Sequence, residues 1–259
     1  PYEKKLVSLA EKEKLIEKYK DNFIFEKKID INGCCIRLWT NDKKLKETWE
    51  ENWYSMSENV RSHGRIYAIM TGKGKPRVLY EKISKSSFFF DCDYYGWIKS
   101  CALAIAGDIL EDAHEYYSIH GALVDVNGAG TVIIGPSGTG KTTISYGLLR
   151  YKDVKLVADD WCFFKFYDDF VYGFCSEKNS YIRIDLATSW PEYKEIYKIV
   201  EVDKMGRAIM DVSRIIGKGG IKRQTEIKNI IILMRDKKEE EILKKVSVEK
   251  ALDYLEKND

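Results

Sequence analysis

Residues 135–142 read Gly-Pro-Ser-Gly-Thr-Gly-Lys-Thr and fit the pattern G-x-x-x-x-G-K-[ST] in full. Glycines at this spacing let consecutive backbone N–H groups turn inward and form a nest for phosphate oxygens. A helix that starts directly after such a loop brings its positive amino end to the same anion. The pattern therefore predicts a site for the phosphates of a nucleotide. Its predicted binding residues are Gly135, Pro136, Ser137, Gly138, Thr139, Gly140, Lys141, Thr142 and Thr143.

Two side chains of this loop predict the cofactors. In loops of this kind the lysine, here Lys141, reaches the β- and γ-phosphates, and the hydroxyl that follows, here Thr142, ligates Mg²⁺. The expected cofactors are ATP and Mg²⁺, although no residue in the sequence specifies adenine.

Asp159 and Asp160 end a short apolar strand, and Asp159 comes 18 residues after Lys141. The side chains of adjacent residues in a strand point to opposite faces, so the two carboxylates could have different chemical roles. One would help to hold Mg²⁺, and the other could accept a proton from an attacking hydroxyl. The alternative is that one of them only caps a loop.

A histidine and two arginines are further candidates. His120 stands just before Gly121, on the strand that leads toward the loop, and could lie beside the phosphates; a packed histidine is the alternative. Phosphoryl transfer spreads negative charge over the equatorial oxygens, where a cation helps greatly. Arg183 and Arg207 are the candidates to supply it, but a surface residue or ion pair is the favoured interpretation of each.

Three segments together resemble the HPr kinase/phosphorylase family, bacterial enzymes that phosphorylate a serine of a protein. They are His120-Gly121, the loop 135–142 and Val157-Ala158-Asp159-Asp160. The loop is also similar to that of ATP-dependent phosphoenolpyruvate carboxykinase, which shares this kind of P-loop kinase fold. The resemblance is strong over residues 118–165, extends loosely to about 235 and does not cover residues 1–115.

The resemblance implies a role for each matching residue. Lys141 would contact the transferred phosphoryl group, and Thr142 would bind the metal. Asp159 matches the general base, Asp160 would support the metal or the phosphates, and His120 matches a histidine near the phosphates. The resemblance also suggests a homo-oligomer.

The chain departs from both families in places. Thr143 follows Thr142 as in the carboxykinase, where HPr kinase usually has Glu, which argues against a phosphorylase activity. The C-terminal signature for docking HPr is not recognisable, and Gly206-Arg207 matches it only weakly. The chain is too short for a carboxykinase and has no recognisable counterparts of its substrate-binding arginines.

The loop and the carboxylates must be held by strands and helices that the sequence pattern also predicts. Isoleucine, valine and aromatic runs between turn residues predict strands, and a 3.6-residue apolar period predicts helices. The predicted strands are two around Asn32-Gly33 within 29–38, then 65–70, 76–81, 86–91, 119–126, 131–134, 154–158, 161–167, 170–175, 180–185, 207–212 and 227–234. The predicted helices are 3–22, 42–54 with Asp42 as N-cap, 94–116, 141–150 and one from Ser247 onward.

This order predicts an α/β protein with the HPr kinase and phosphoenolpyruvate carboxykinase type of P-loop fold, a mixed sheet and a smaller α+β region at the N-terminus. We expect residues 1–60 to form that region and residues 61–259 to form the P-loop kinase domain, with its core at 118–235.

Composition excludes several other classes. The 44% of hydrophobic residues is too high for a disordered chain. The 43 Lys and Arg against 41 Asp and Glu give a formal net charge of +2, which is not the excess of positive charge typical of a nucleic-acid-binding protein. We expect no transmembrane segment, no signal peptide and a cytoplasmic location. Six cysteines without a C-x-x-C pair predict reduced, mostly buried thiols rather than a zinc site.

The predicted function is transfer of the γ-phosphate of ATP to a hydroxyl, either a serine of a protein or peptide or a small hydroxylated metabolite. The main alternative is a regulatory NTPase that uses nucleotide as a switch and has no acceptor. A further alternative is RNA binding through Gly217-Lys218-Gly219-Gly220, but Arg223 stands where a KH domain has an apolar residue.

Overall fold

The structure is a computed structural model that describes residues 3–72, 74–200, 202–203, 206–235, 238 and 240–258. The chain forms two compact units, residues 1–117 with 176–179 (unit 1) and residues 118–175 with 180–259 (unit 2). This division differs from the expected boundary at residue 60, because strands before and after residue 60 pair in one sheet. Within the described ranges, no helix is both long enough and apolar enough to cross a membrane.

Unit 1 is built on a mixed sheet of seven strands. The strands are β1 (Glu3–Leu6), β2 (Phe25–Ile31), β3 (Cys34–Thr40), β4 (Tyr54–Ser55), β5 (Gly64–Ile69), β6 (Arg77–Glu81) and β7 (Ser86–Phe90). The helices are α1 (Leu9–Tyr19), α2 (Lys43–Asn52) and α3 (Tyr95–His114). The strand order is β1-β6-β7-β5-β3-β2-β4.

The single helix predicted over residues 3–22 is wrong at its start. Residues 3–6 form β1, which pairs in parallel with β6. The helix α1 begins only after Ser8, whose hydroxyl accepts a hydrogen bond from the Glu11 backbone N at 3.2 Å, while the Glu11 carboxylate accepts one from the Ser8 backbone N at 2.8 Å. This reciprocal pair satisfies the free N–H groups at the helix start, so the helix begins there.

Unit 2 has its own mixed sheet. The strands are β8 (Tyr116–Ile119), β9 (Gly121–Val126), β10 (Ala129–Ile134), β11 (Val154–Ala158), β12 (Cys162–Phe166), β13 (Val171–Cys175), β14 (Asn179–Arg183), β15 (Arg207–Asp211) and β16 (Gln224–Ile232). The helices are α4 (Lys141–Leu148), α5 (Leu186–Ser189), α6 (Ile196–Ile199), α7 (Ser213–Ile216) and α8 (Val248–Asn258). The large sheet has the order β11-β9-β10-β16-β13-β12-β8, and β14 pairs with β15 in a separate ribbon.

The hairpin that leads into the loop follows from its turn residues. Asn127 and Gly128 both have positive φ, at 50° and 90°, which is the geometry of a two-residue hairpin turn between antiparallel strands. The Asp125 carboxylate accepts a hydrogen bond from the Gly128 backbone N at 2.9 Å and supports the turn. The predicted hairpin is therefore confirmed.

Residues 186–199 form short helices that the sequence pattern did not predict. They comprise α5, a 3-10 turn at Pro191–Glu195 and α6. Leu186, Tyr193 and Ile196 are buried in one apolar cluster with residues of β9, β10, β11 and α4. This segment therefore packs in the same core as the helix that follows the loop.

Candidate active site

The loop at 135–140 joins the buried strand β10 to the helix α4. Gly138 and Gly140 have φ of 80° and 108°, which side chains other than glycine rarely adopt. The turn from Pro136 to Thr139 is closed by Thr139, whose backbone N and hydroxyl donate to the Pro136 carbonyl at 3.3 and 2.7 Å. The loop has the tight, glycine-dependent backbone that the motif predicts.

Lys141 is the first residue of α4 and is 9% exposed. Its ammonium group donates a hydrogen bond to the Gly135 carbonyl at 2.7 Å and thus bridges the two ends of the loop. Burial lowers the pKa of Lys141, while the carboxylates of Asp160 and Asp159 oppose that lowering. Both predicted carboxylates therefore act on the predicted phosphate-binding lysine.

The topology of the sheet brings three predicted groups to one edge. Strand β9 runs antiparallel to both β10 and β11, so β10 and β11 run in the same direction and end at the same edge. There Ile134 of β10 lies opposite Gly121, and Ala158 of β11 lies opposite Leu123. The loop after β10, the two aspartates after β11 and His120 before β9 thus converge.

Asp159 is the buried member of the carboxylate pair, with an exposure of 7%. Its Oδ2 accepts a hydrogen bond from the backbone N of Tyr181 on β14 at 3.0 Å. Burial, together with the charge of Asp159, holds the pKa of Tyr146 on α4 well above its usual range. The backbone donor at Tyr181 was not predicted, because a backbone contact leaves no residue-type signal in a sequence.

Asp160 is the solvent-exposed member of the pair. Its Oδ1 lies 3.1 Å from His120 Nε2, and the two side chains are 40% and 46% exposed. The Trp161 ring lies nearly parallel to the His120 ring, with 6.2 Å between centroids and 20° between planes. Trp161 was not predicted as a site residue, because its position directly after the aspartates was the only signal available in the sequence.

The remaining loop residues occupy the start of α4 and the turn before it. Thr142 and Thr143 are the second and third residues of α4 and are half-buried, whereas Ser137 is exposed on the turn. The Thr142 carbonyl accepts a hydrogen bond from the Ser145 hydroxyl at 3.1 Å.

The available oxygen donors fit Mg²⁺. The Thr142 hydroxyl and the Asp160 carboxylate are hard donors of the kind that this ion prefers. Within the described ranges, no three His, Cys, Asp or Glu side chains are grouped so as to hold a metal by themselves. Mg²⁺ usually takes one or two protein oxygens and completes its shell with phosphate and water.

Arg183 is solvent-exposed and forms an ion pair with a neighbouring aspartate. It lies on β14, is 68% exposed and pairs with Asp185, its Nε lying 3.4 Å from both carboxylate oxygens. Among the described residues, none of its hydrogen bonds reaches the loop. Arg207 forms a two-point contact with Asp203 at 3.1 and 2.7 Å. A catalytic role for Arg183 stays a prediction.

The fold and the site together define a P-loop protein of the mixed-sheet α/β class, with a carboxylate pair beside the loop lysine. The chain belongs to the family of the HPr Serine kinase C-terminal domain, whose sequence model matches residues 111–256. This match confirms the resemblance found in the motifs and extends it beyond residue 235.

Individual proteins similar to this chain are named as HPr kinases. The HPr kinase/phosphorylase of Lactobacillus johnsonii is 32% identical over 116 residues, and that of Lactobacillus acidophilus is 31% identical over 118 residues. Each match covers 45% of this chain but only 30% of the relative's length. The HPr(Ser) kinase/phosphatase of Coxiella burnetii is a solved structure with 23% identity and a TM-score of 0.35, covering 48% of this chain and 70% of that one.

Proposed function

We propose that this protein transfers the γ-phosphoryl group of ATP to a hydroxyl group, with a serine of a protein as the acceptor. The observation that carries the proposal is the convergence of loop and carboxylates at one sheet edge, where Asp159 and Asp160 both act on Lys141. A nucleotide switch needs the loop but no second carboxylate placed for an acceptor, so the pair favours transfer.

The proposed reaction assigns the proton to Asp159. The acceptor oxygen forms a bond to the γ-phosphorus, the bond from that phosphorus to the β–γ bridging oxygen breaks, and ADP leaves. The hydroxyl proton passes to the Asp159 carboxylate. The Tyr181 backbone N–H holds one oxygen of this carboxylate in place, which orients the other.

Three groups would stabilise the charge that spreads over the transferred phosphoryl group. They are the backbone N–H groups of the loop, the amino end of α4 and the Lys141 ammonium. Thr142 and Asp160 would hold Mg²⁺, which when bound neutralises charge on the β- and γ-phosphates. His120, hydrogen-bonded to Asp160, would orient that carboxylate.

The family favours a protein serine over a small metabolite as the acceptor. The relatives are named for HPr, so HPr is the first acceptor to test. The chain spans only about 30% of the length of these relatives, so contacts outside the shared segment bear on the choice of acceptor.

The test uses ATP labelled at the γ-phosphate, Mg²⁺ and three acceptor samples: HPr, a protein extract and a pool of hydroxylated metabolites. Lys141→Ala should lose both ATP binding and transfer. Asp159→Asn should keep ATP binding and lose transfer by about 10²–10⁴-fold, the usual contribution of a general base. Thermal unfolding of each variant shows whether it is folded.

Asp169→Asn is the matched control, because Asp169 is an exposed carboxylate on the turn between β12 and β13, away from the loop in sequence. It should transfer at the wild-type rate. Unchanged transfer in Asp159→Asn would place the base elsewhere. Phosphate release without a labelled acceptor in any sample would replace transfer by the regulatory NTPase.

A further inference from the structure

Trp190 lies against the helix that follows the phosphate-binding loop. Its indole Nε1 donates a hydrogen bond to the Thr143 carbonyl at 2.7 Å. Thr143 is in the first turn of α4, the turn that also contains Lys141 and Thr142. Trp190 follows α5, in the segment for which the sequence pattern predicted no helix.

The helix has a glycine where the indole ring approaches. A Cβ added at Gly147 would lie 2.6 Å from Cζ2 and 3.0 Å from Cε2 of Trp190, closer than side chains tolerate. Glycine is a poor helix former, so its presence inside α4 costs about 1 kcal/mol relative to alanine. The close approach of Trp190 supplies a physical reason for a residue that helix propensity disfavours.

The same segment contacts α4 at two further points. The Tyr193 hydroxyl donates to the Tyr146 carbonyl at 2.8 Å. Arg150, just beyond α4, forms an ion pair with Glu192, and its guanidinium lies 4.5 Å from the centroid of the Trp190 ring. Of these hydrogen bonds from Trp190 and Tyr193, the first ends on the first turn of α4 and the second on the turn after it.

We propose that Trp190 is a positioning residue for nucleotide binding, acting through the first turn of α4. This inference rests on the proposed function, because it assumes that the amino end of α4 receives the nucleotide phosphates. The hydrogen bond to Thr143 and the ring packed on Gly147 hold this turn in the orientation that its N–H groups need. Without them the turn samples other orientations, and the nucleotide must then pay the cost of ordering it.

The test compares two variants that each lose one hydrogen bond from the same segment to the same helix. Trp190→Phe removes the bond to the first turn and keeps an aromatic ring over Gly147. Tyr193→Phe removes the bond to Tyr146, one turn later. The dissociation constant for ATP with Mg²⁺ is measured by calorimetry, and thermal unfolding is measured in parallel.

We expect Trp190→Phe to raise the dissociation constant about fivefold, the equivalent of one hydrogen bond, and Tyr193→Phe to leave it unchanged. Both variants should lower the unfolding temperature by similar amounts, because each loses one hydrogen bond. Gly147→Ala should also weaken ATP binding, although alanine favours the helix, because it displaces the Trp190 ring. Equal dissociation constants in Trp190→Phe and the wild type, or equal losses in Trp190→Phe and Tyr193→Phe, would overturn the inference. Absence of ATP binding by the wild type would overturn the proposed function and this inference with it.

Discussion

At the scale of single residues, the protonation of Lys141 is set by two opposing influences. Burial disfavours its charged form, whereas Asp160 and Asp159 favour it. The positive potential that a phosphate meets here is local, supplied by this ammonium, the loop amides and the start of α4. A formal charge of only +2 over the whole chain is therefore no obstacle to phosphate binding.

The lowered pKa of Lys141 predicts a pH dependence of ATP binding. Bound phosphates need the protonated lysine, so above the lowered pKa the protein must take up a proton as ATP binds. The dissociation constant should therefore start to rise below the pH at which an ordinary lysine titrates. For stability the sign is opposite: the unfolded chain keeps this proton to a higher pH, so Lys141 opposes folding at low pH and this opposition disappears as pH rises toward the unfolded-state pKa. Calorimetry at several pH values, in two buffers of different ionisation enthalpy, measures the proton uptake.

Lys141→Arg is the control for that measurement, since a guanidinium stays protonated throughout the range. Its ATP affinity, even if weaker, should not change over the alkaline interval. The same rise in the variant and the wild type would show that another group titrates.

At the scale of elements, the starts of α1 and α2 are determined by side chains close in sequence. The predicted N-cap of α2 is confirmed: one oxygen of Asp42 accepts hydrogen bonds from the backbone N of Lys44 at 2.8 Å and of Leu45 at 3.2 Å. In contrast, β1 exists because it pairs with β6, whose residues lie about 70 positions further along the chain. Local signals thus located α2 and missed β1.

Asp42→Ala should lower the free energy of unfolding by about 1 kcal/mol, because the first turn of α2 loses its side-chain acceptor. Asp42→Asn keeps an acceptor oxygen and should lose much less. Urea denaturation followed by circular dichroism measures both. Equal losses in the two variants would mean that the charge of Asp42, rather than its capping hydrogen bonds, stabilises the helix.

At the scale of the whole molecule, the chain returns to unit 1 with residues 176–179 after entering unit 2. Glu177 is anchored there by buried partners. Its carboxylate lies 2.9 Å from the Lys99 ammonium and accepts a hydrogen bond from Asn52 Nδ2 at 3.0 Å. The side chains of Lys99 and Glu177 are 6% and 5% exposed, so neither charge has appreciable contact with water.

Glu177→Ala should cost about 3–5 kcal/mol of unfolding free energy, because it leaves the buried Lys99 charge without its carboxylate. The double variant Lys99→Met/Glu177→Leu replaces both charges by apolar groups and should recover much of this loss. Chemical denaturation of the single and double variants measures the difference. A double variant no more stable than Glu177→Ala would show that the two charges are not coupled.

The site was predictable to the extent that its parts are contiguous. The loop 135–142, the aspartates at 159–160 and the hairpin with its Asn127-Gly128 turn each lie within a short stretch, where residue type and spacing decide the backbone. Arg183 illustrates the limit: its place on a predicted strand was correct, but its ion pair with Asp185 and its exposure depend on how β14 is packed.

The sequence by itself determined the phosphate-binding loop, the strand and helix on either side of it, the α/β class and the family. The loop and its flanking elements follow from φ angles that only glycine adopts readily, from caps and from apolar periodicity, all of which act between near neighbours. The family follows instead from the resemblance of three motifs to those of HPr kinase/phosphorylase. Only the tertiary structure decided that β9 lies between β10 and β11, which brings His120, the loop and the two aspartates to one edge. It also made Asp159 buried and bonded to a backbone N–H while Asp160 is exposed and bonded to His120, and it packed Trp190 against α4. Strand pairing and burial join residues far apart in the chain, and no local pattern encodes those contacts.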